Sequence, residues 1–271
     1  MNKLIVMLLL AAVFAVSVPS AGAADAAAEL KALTGKIRDD IADGKTNASD
    51  LNGDLKQFDD LLAEHHGEKT DAVANIVYMK AMLYDEGFHD PAQAAELVKQ
   101  LKIDFQGTAF VEELEKREAA QAAAQKIQAS LAVGTKFPDF NERDLSGRLF
   151  SLTNYPGKVV LVDFWATSSA SSRAELPYVM AAYGKYHDQG FEIIGISLDQ
   201  DPARFTEFVR AMNLGWPQYF DGQGWQNKLA VKYGVEQIPS TYLLDAGGKI
   251  IAKNLRGEAL PAAVAKSLEK N

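Results

Sequence analysis

Residues 159–177 read Val-Val-Leu-Val-Asp-Phe-Trp-Ala-Thr-Ser-Ser-Ala-Ser-Ser-Arg-Ala-Glu-Leu-Pro, and this stretch limits the fold more than any other. Its first seven residues are apolar except for one aspartate, which predicts a buried strand. The small polar residues that follow are those a chain uses to turn and to start a helix. A strand that feeds a helix through a short exposed turn is a site geometry, because the first backbone N–H groups of the helix point into that turn.

The chain has 271 residues, 48% of them hydrophobic and 24% charged, which leaves room for two globular domains. It contains no cysteine, so by itself it can neither form, pass on nor isomerise a disulfide. Residues 1–23 carry one early charge, Lys3, then an uncharged apolar run, then Ala21, Gly22 and Ala23 as small residues suited to cleavage. That pattern predicts an export signal and a periplasmic or secreted product; the apolar run is short for a bilayer span, the alternative being an uncleaved anchor. Loss of Lys3 would make the formal charge of −8 one unit more negative. An acidic surface argues against nucleic acid and anionic membrane as partners, and no membrane span is expected after cleavage.

Residues 24–131 read as helices. Leu51, Leu55, Phe58 and Leu62 recur at three-to-four spacing, as do Val73, Val77, Ala81 and Tyr84. Asp90 and Pro91 form a cap and first helical position, followed by an inward stripe of Ala94, Leu97, Val98 and Leu101. Residues 71–105 span about one tetratricopeptide-like unit, and the region is either a self-packed bundle or a partner-binding surface. Residues 109–131 form a connecting helix with a solvated face. His65 and His66 are adjacent, hence about 100° apart on a helix, and a metal site there is not expected.

From residue 132 the texture changes to alternating strand and helix signals, an α/β domain over 132–271. The expected order is a hairpin around the turn at 144–148, the buried strand, and a helix opened at Ser169 with Pro177 inside it. A strand follows at 191–198, then a helix capped by Asp201 with Phe205, Phe208, Val209 and Met212 inward. A short strand at 218–220 and a helix at 226–233 lead to a hairpin, 241–244 and 249–253, and a last helix with Leu260, Val264 and Leu268 inward.

The segments Tyr-Pro-Gly-Lys-Val-Val-Leu-Val-Asp-Phe-Trp-Ala-Thr, Asp-Leu-Ser-Gly-Arg-Leu-Phe-Ser-Leu and Tyr-Gly-Val-Glu-Gln-Ile-Pro-Ser-Thr-Tyr-Leu-Leu-Asp resemble the thioredoxin-like superfamily, in particular its exported TlpA-like redoxins of AhpC/TSA type. The resemblance covers about 133–271 and implies a central mixed sheet flanked by helices. It further implies that Ser169 and Ser172 stand where relatives carry the two cysteines of a Cys-x-x-Cys motif, with Ala170 and Ser171 between. In that family the first thiol is the nucleophile and the second resolves the mixed disulfide; serine hydroxyls do neither, so no catalytic residue, cofactor or metal is expected. Serine hydrolysis is also disfavoured, because the one histidine of this domain, His187, lies roughly 27 Å away at the far end of the helix.

Two uses remain open for Ser168, Ser169, Ser171 and Ser172: helix capping alone, with Ser172 to Glu175 at capping-box spacing, or contact with a ligand. The resemblance makes Pro239, after Ile238, a cis proline facing the turn, and implies a peptide groove lined by Trp165, Ser168, Ser169, Ala170, Ser172, Ile238 and Pro239. It also places two buried acids, Asp163 and Glu175, beside the second serine. Asp163 is expected to be neutral and bonded to a serine hydroxyl or water. The reading is an exported binding or assembly protein with a protein or peptide partner; the alternative is a thiol-disulfide oxidoreductase or antioxidant redoxin by descent.

Overall fold

The computed structural model describes residues 21–45 and 48–269. The leader expected at 1–23 falls outside them except for its last three residues, which open the first helix. The chain divides into two compact units, one ending at Glu118 and one spanning Ala119–Asn271.

The first unit is all helical: α1 (Ala21–Ala42), α2 (Ala48–Glu64), α3 (Asp71–Met82), a π turn at Leu83–Gly87, α4 (Pro91–Asp104) and the first part of α5 (Ala109–Ser130). Its starts are set by side chains that satisfy the orphan N–H groups of a first turn. Thr70 accepts from the Val73 N–H, and Asp90 accepts from Gln93 with Pro91 at the first helical position. Leu51, Phe58, Val73, Ile76, Met79 and Leu101 fill the core between these helices, as the helical spacing requires. His65 is buried there between two carboxylates, 2.8 Å from Glu29 and 3.1 Å from Glu68. Among the described residues no group of three or more His, Asp or Glu side chains is placed to hold a metal ion.

The second unit is built on a five-stranded sheet in the order β5-β4-β3-β6-β7. Strand β3 (Val159–Trp165) lies at its centre, parallel to β4 (Phe191–Ser197), which is parallel to β5 (Gln218–Phe220). On the other side β6 (Ser240–Leu244) and β7 (Ile250–Lys253) run antiparallel. A separate hairpin, β1 (Glu142–Arg143) and β2 (Leu149–Phe150), precedes the sheet. It is shorter than its sequence suggests, because Phe137 and Phe140 pack into the core from irregular backbone. The helices are α6 (Ala170–Tyr186), α7 (Pro202–Ala211), α8 (Lys228–Lys232) and α9 (Ala259–Leu268).

Every residue of β3 is buried, since both faces of the sheet are covered. Val159, Leu161 and Trp165 pack with Leu176, Val179, Phe205, Leu260 and Val264 from α6, α7 and α9. Val160, Val162 and Phe164 pack on the opposite face with Phe137, Phe150, Leu229, Tyr233 and Tyr242. Full burial of each such aliphatic or aromatic side chain is worth about 1.5–3 kcal/mol, so this two-sided core holds the site end of β3 firmly. Met212, expected on the inner side of α7, is its exposed C-cap residue.

The chain passes from the first unit to the second within α5, at Glu118 and Ala119, where the sequence placed a boundary at 131. The cause is specific bonding by the last turns of α5. Gln128 Nε2 donates to the Tyr233 carbonyl at 2.7 Å and to the Tyr242 hydroxyl at 2.6 Å, and Gln128 Oε1 accepts from Lys253 Nζ at 3.0 Å. A Cβ at Gly234, whose φ is +60°, would stand 2.6 Å from the Ala124 carbonyl oxygen, so the two backbones touch where no side chain fits.

Candidate functional site

At its carboxyl end β3 delivers Thr167, Ser168 and Ser169 into a turn. Thr167 is pinned by the buried carboxylate of Asp199, which accepts from the Thr167 N–H at 2.9 and 3.1 Å and from its hydroxyl at 2.7 Å. Ser197 Oγ, at the end of β4, donates to the same carboxylate at 2.8 Å. Arg173 folds back from α6 so that Nη1 donates to the Thr167 carbonyl at 2.6 Å. The turn therefore has little freedom; charge-assisted hydrogen bonds of this kind are roughly twice as strong as neutral ones. Sequence reasoning missed Thr167 and Asp199. The signal was an aspartate directly after an apolar strand, in Ile-Ser-Leu-Asp, which becomes meaningful only once β3 and β4 are known to be neighbours.

Ser169 is the N-cap of α6: its Oγ accepts from the Ser172 N–H at 3.2 Å. The capping box expected from Ser172 to Glu175 does not form, because the helix begins three residues earlier than that spacing supposes; Glu175 Oε2 accepts from the Gly257 N–H at 2.7 Å instead. Ser169 Oγ also lies 3.0 Å from Ser171 Oγ, which donates to the Ile238 carbonyl at 3.2 Å. The fold thus brings the serine turn and the Ile238–Pro239 segment together, and the peptide bond between those two residues is cis.

The residues expected to line a groove divide by exposure. Ser168, Ala170 and Ser171 are exposed, and Ser169 and Ile238 are half-buried. Trp165 is 1% exposed; its ring packs between Phe205 and Phe208 and its Nε1–H donates to Gln218 at 3.1 Å. It belongs to the core and does not line a groove, because it lies on the sheet face covered by α6 and α7. Ser172, 3% exposed, and Pro239 are buried too, leaving the outer serine, Ser169, as the reachable member of the pair. The Pro239 carbonyl accepts from Arg256 Nη2.

Beneath the turn, Asp163 pairs in register with Thr241 of β6, so both side chains leave the sheet toward α6. Asp163 is 5% exposed, and burial pushes its carboxyl up to about 7; the positive charge of Arg256 opposes this and the negative charge of Glu175 adds to it. Its Oδ1, the Ser172 Oγ and the Thr241 Oγ1 are buried and make no hydrogen bond among the described residues. A shared Asp163–serine hydrogen bond is therefore not formed; the carboxyl limits its cost by keeping a proton near neutral pH. Glu175 is half-buried rather than buried, because α6 turns it toward Gly257 at the surface.

Chemically, the turn offers hydroxyls and first-turn N–H groups but no nucleophile with a base. His187 follows the far end of α6, with the whole helix between it and Ser169. The arrangement can hold and orient a polar group, and it cannot exchange sulfur.

The AhpC/TSA family model matches residues 133–253. The chain is 30% identical over 143 residues to the thiol-disulfide oxidoreductase ResA of Bacillus thuringiensis subsp. konkukian, covering 53% of this chain and 80% of that protein. It is 34% identical over 123 residues to ResA of Geobacillus thermodenitrificans, covering 45% and 69% respectively. Among solved structures, the thioredoxin domain of a thiol-disulfide oxidoreductase from Bacteroides vulgatus aligns with a TM-score of 0.47 at 34% identity, covering 51% of this chain and 98% of that one. With the first of these relatives matched over most of its length by the half that carries the serine turn, the chain belongs to the AhpC/TSA family of thioredoxin-like redoxins, related to thiol-disulfide oxidoreductases and without a cysteine of its own.

Proposed function

We propose that this protein works by contact: it is an exported thioredoxin-like binding or assembly factor that takes a polypeptide segment against the face made by Ser168, Ser169, Ala170, Ser171 and Ile238. The observation that supports this most is the combination of a cysteine-free chain with a capped, pinned turn that meets the Ile238–Pro239 segment. Thiolate attack needs sulfur on the attacking residue, and a serine hydroxyl neither ionises near neutral pH nor forms a stable bond to a thiol. Export rests on the composition of residues 1–23; no described helix is long and apolar enough to cross a membrane.

The relatives' activity supports a second reading, in which the protein takes part in thiol-disulfide exchange with all sulfur supplied by partners. A dithiothreitol-driven insulin reduction assay separates the two. The purified protein is expected to give the uncatalysed rate, and a rate above it would end the contact reading. The binding half is tested by a photo-crosslinker at Ser169 in an extract of exported proteins. A discrete adduct lost on Ala170→Arg is expected, and labelling unaffected by that change would remove the face from the proposal.

A further inference from the structure

His65 is a buried imidazole with a carboxylate at each nitrogen: Nε2 lies 2.8 Å from Glu29 Oε2, and Nδ1 lies 3.1 Å from Glu68 Oε1. An ionised carboxylate only accepts and a neutral imidazole carries a single N–H, so both contacts are hydrogen bonds only while the ring is an imidazolium. The surroundings favour that form. His65 directly follows α2, at the helix end whose partial negative charge attracts a cation. Gly67, at φ +84°, turns the chain back so that the Glu68 N–H donates to the His65 carbonyl at 3.1 Å, which brings the Glu68 side chain to the ring. Glu29 arrives from α1, 36 residues away in sequence.

The charges acting on the ring are those of Glu29 and Glu68. Asp71, which opens α3, is turned to the Phe110 N–H at 2.8 Å. Glu64, His66 and Lys69, on the segment of His65 itself, are exposed, and Lys69 Nζ lies over the Phe105 ring. The hydrogen bond to Glu29 first, and that to Glu68 second, raise the imidazole above its ordinary 6.5, against the opposing effect of burial. Between 6.5 and the raised value the docked form keeps a proton that an undocked ring has released. The stabilisation is therefore complete below 6.5 and is lost as pH rises through the raised value.

The proton holds the front of α1. Ahead of Leu30, Ala26 is the one buried side chain among those described, and a single methyl group removes little area from water. Leu30, Leu33, Ile37 and Ile41 anchor the remainder of the helix in the core. We infer that His65 is a proton-operated latch: charged, it clamps the front of α1 to the α2–α3 turn through Glu29 and Glu68, and on losing its proton it releases those first turns while the rest of α1 stays docked. The latch lies wholly within the helical unit and operates whatever the serine turn binds.

Two measurements on the full chain test the latch. In proton NMR, the His65 ring signals, identified by their loss in His65→Gln, are expected to titrate above 6.5 in the parent and to move back toward that value in Glu29→Gln. A parent midpoint at or below 6.5 overturns the inference. In hydrogen exchange read by mass spectrometry at pH 6 and pH 8.5, corrected for the intrinsic rate, protection of residues 25–33 should fall about fivefold in the parent at the higher pH. Residues 34–41 should show no such step, and neither His65→Gln nor Glu29→Gln should show it at 25–33. A parent without the step, a step equally large at 34–41, or a step that survives in His65→Gln would each overturn it, and the first two outcomes need no variant to fold.

Discussion

Asp163 is a carboxyl group in an otherwise apolar strand, and its protonation ties stability to pH. In the folded chain it keeps its proton to about pH 7, against an ordinary value of 3.8. Between those values the folded state holds a proton that the unfolded state has released, so stability falls as pH rises from about 4 to about 7 and levels off above. The whole effect is on the order of 4 kcal/mol. Asp163→Asn, neutral throughout, is expected to gain stability over the parent as pH is raised. Urea unfolding at pH 5 and pH 8 should show the advantage widening by roughly 2 kcal/mol or more, and an equal gap at both would refute the assignment. This residue was legible in the sequence, because a single acid among Val, Leu, Phe and Trp has nowhere to go but the core. Trp165 was not, since a strand covered on both faces carries no alternation to say which way a side chain points.

Strands and helices were legible to within a few residues wherever a run of apolar side chains ended in a clear cap, as at Asp90, Asp201 and Ser169. A further departure is α8, expected over 226–233 and formed only over Lys228–Lys232, because Asn227 commits its amide to Ser197 and Asp221 and starts the helix late. Asn227 thus joins two strands' ends to one short helix. Asn227→Ala would remove a cap and leave the buried Ser197 carbonyl without its side-chain donor, and should cost about 2–4 kcal/mol. Chemical denaturation measures this, and a loss under about 1 kcal/mol would show that the loop is held by other means.

For the molecule as a whole, the fold was readable from three separated motifs, and so was the loss of sulfur. The reach of α5 was not, since nothing in a run of Glu, Gln, Lys and Ala shows that Gln128 bonds to Tyr233 and Tyr242. The scaffold still keeps one serine reachable and one buried, the placement a nucleophile and a resolving residue would need. Ser169→Cys with Ser172→Cys is expected to form an intramolecular disulfide on oxidation and to reduce insulin slowly but above the parent's rate; free-thiol titration before and after oxidation is the check. A pair that stays fully reduced under oxidant would mean the turn has drifted from exchange geometry. The bonds made by Gln128 also bear on where this protein can be cut. A fragment beginning at 132 would strip a donor from Tyr233, an acceptor from Lys253 and a covering turn from Gly234. Proteolysis or truncation that yields a well-behaved carboxyl-terminal piece should therefore leave the last three turns of α5 attached, and preparations lacking them should melt early.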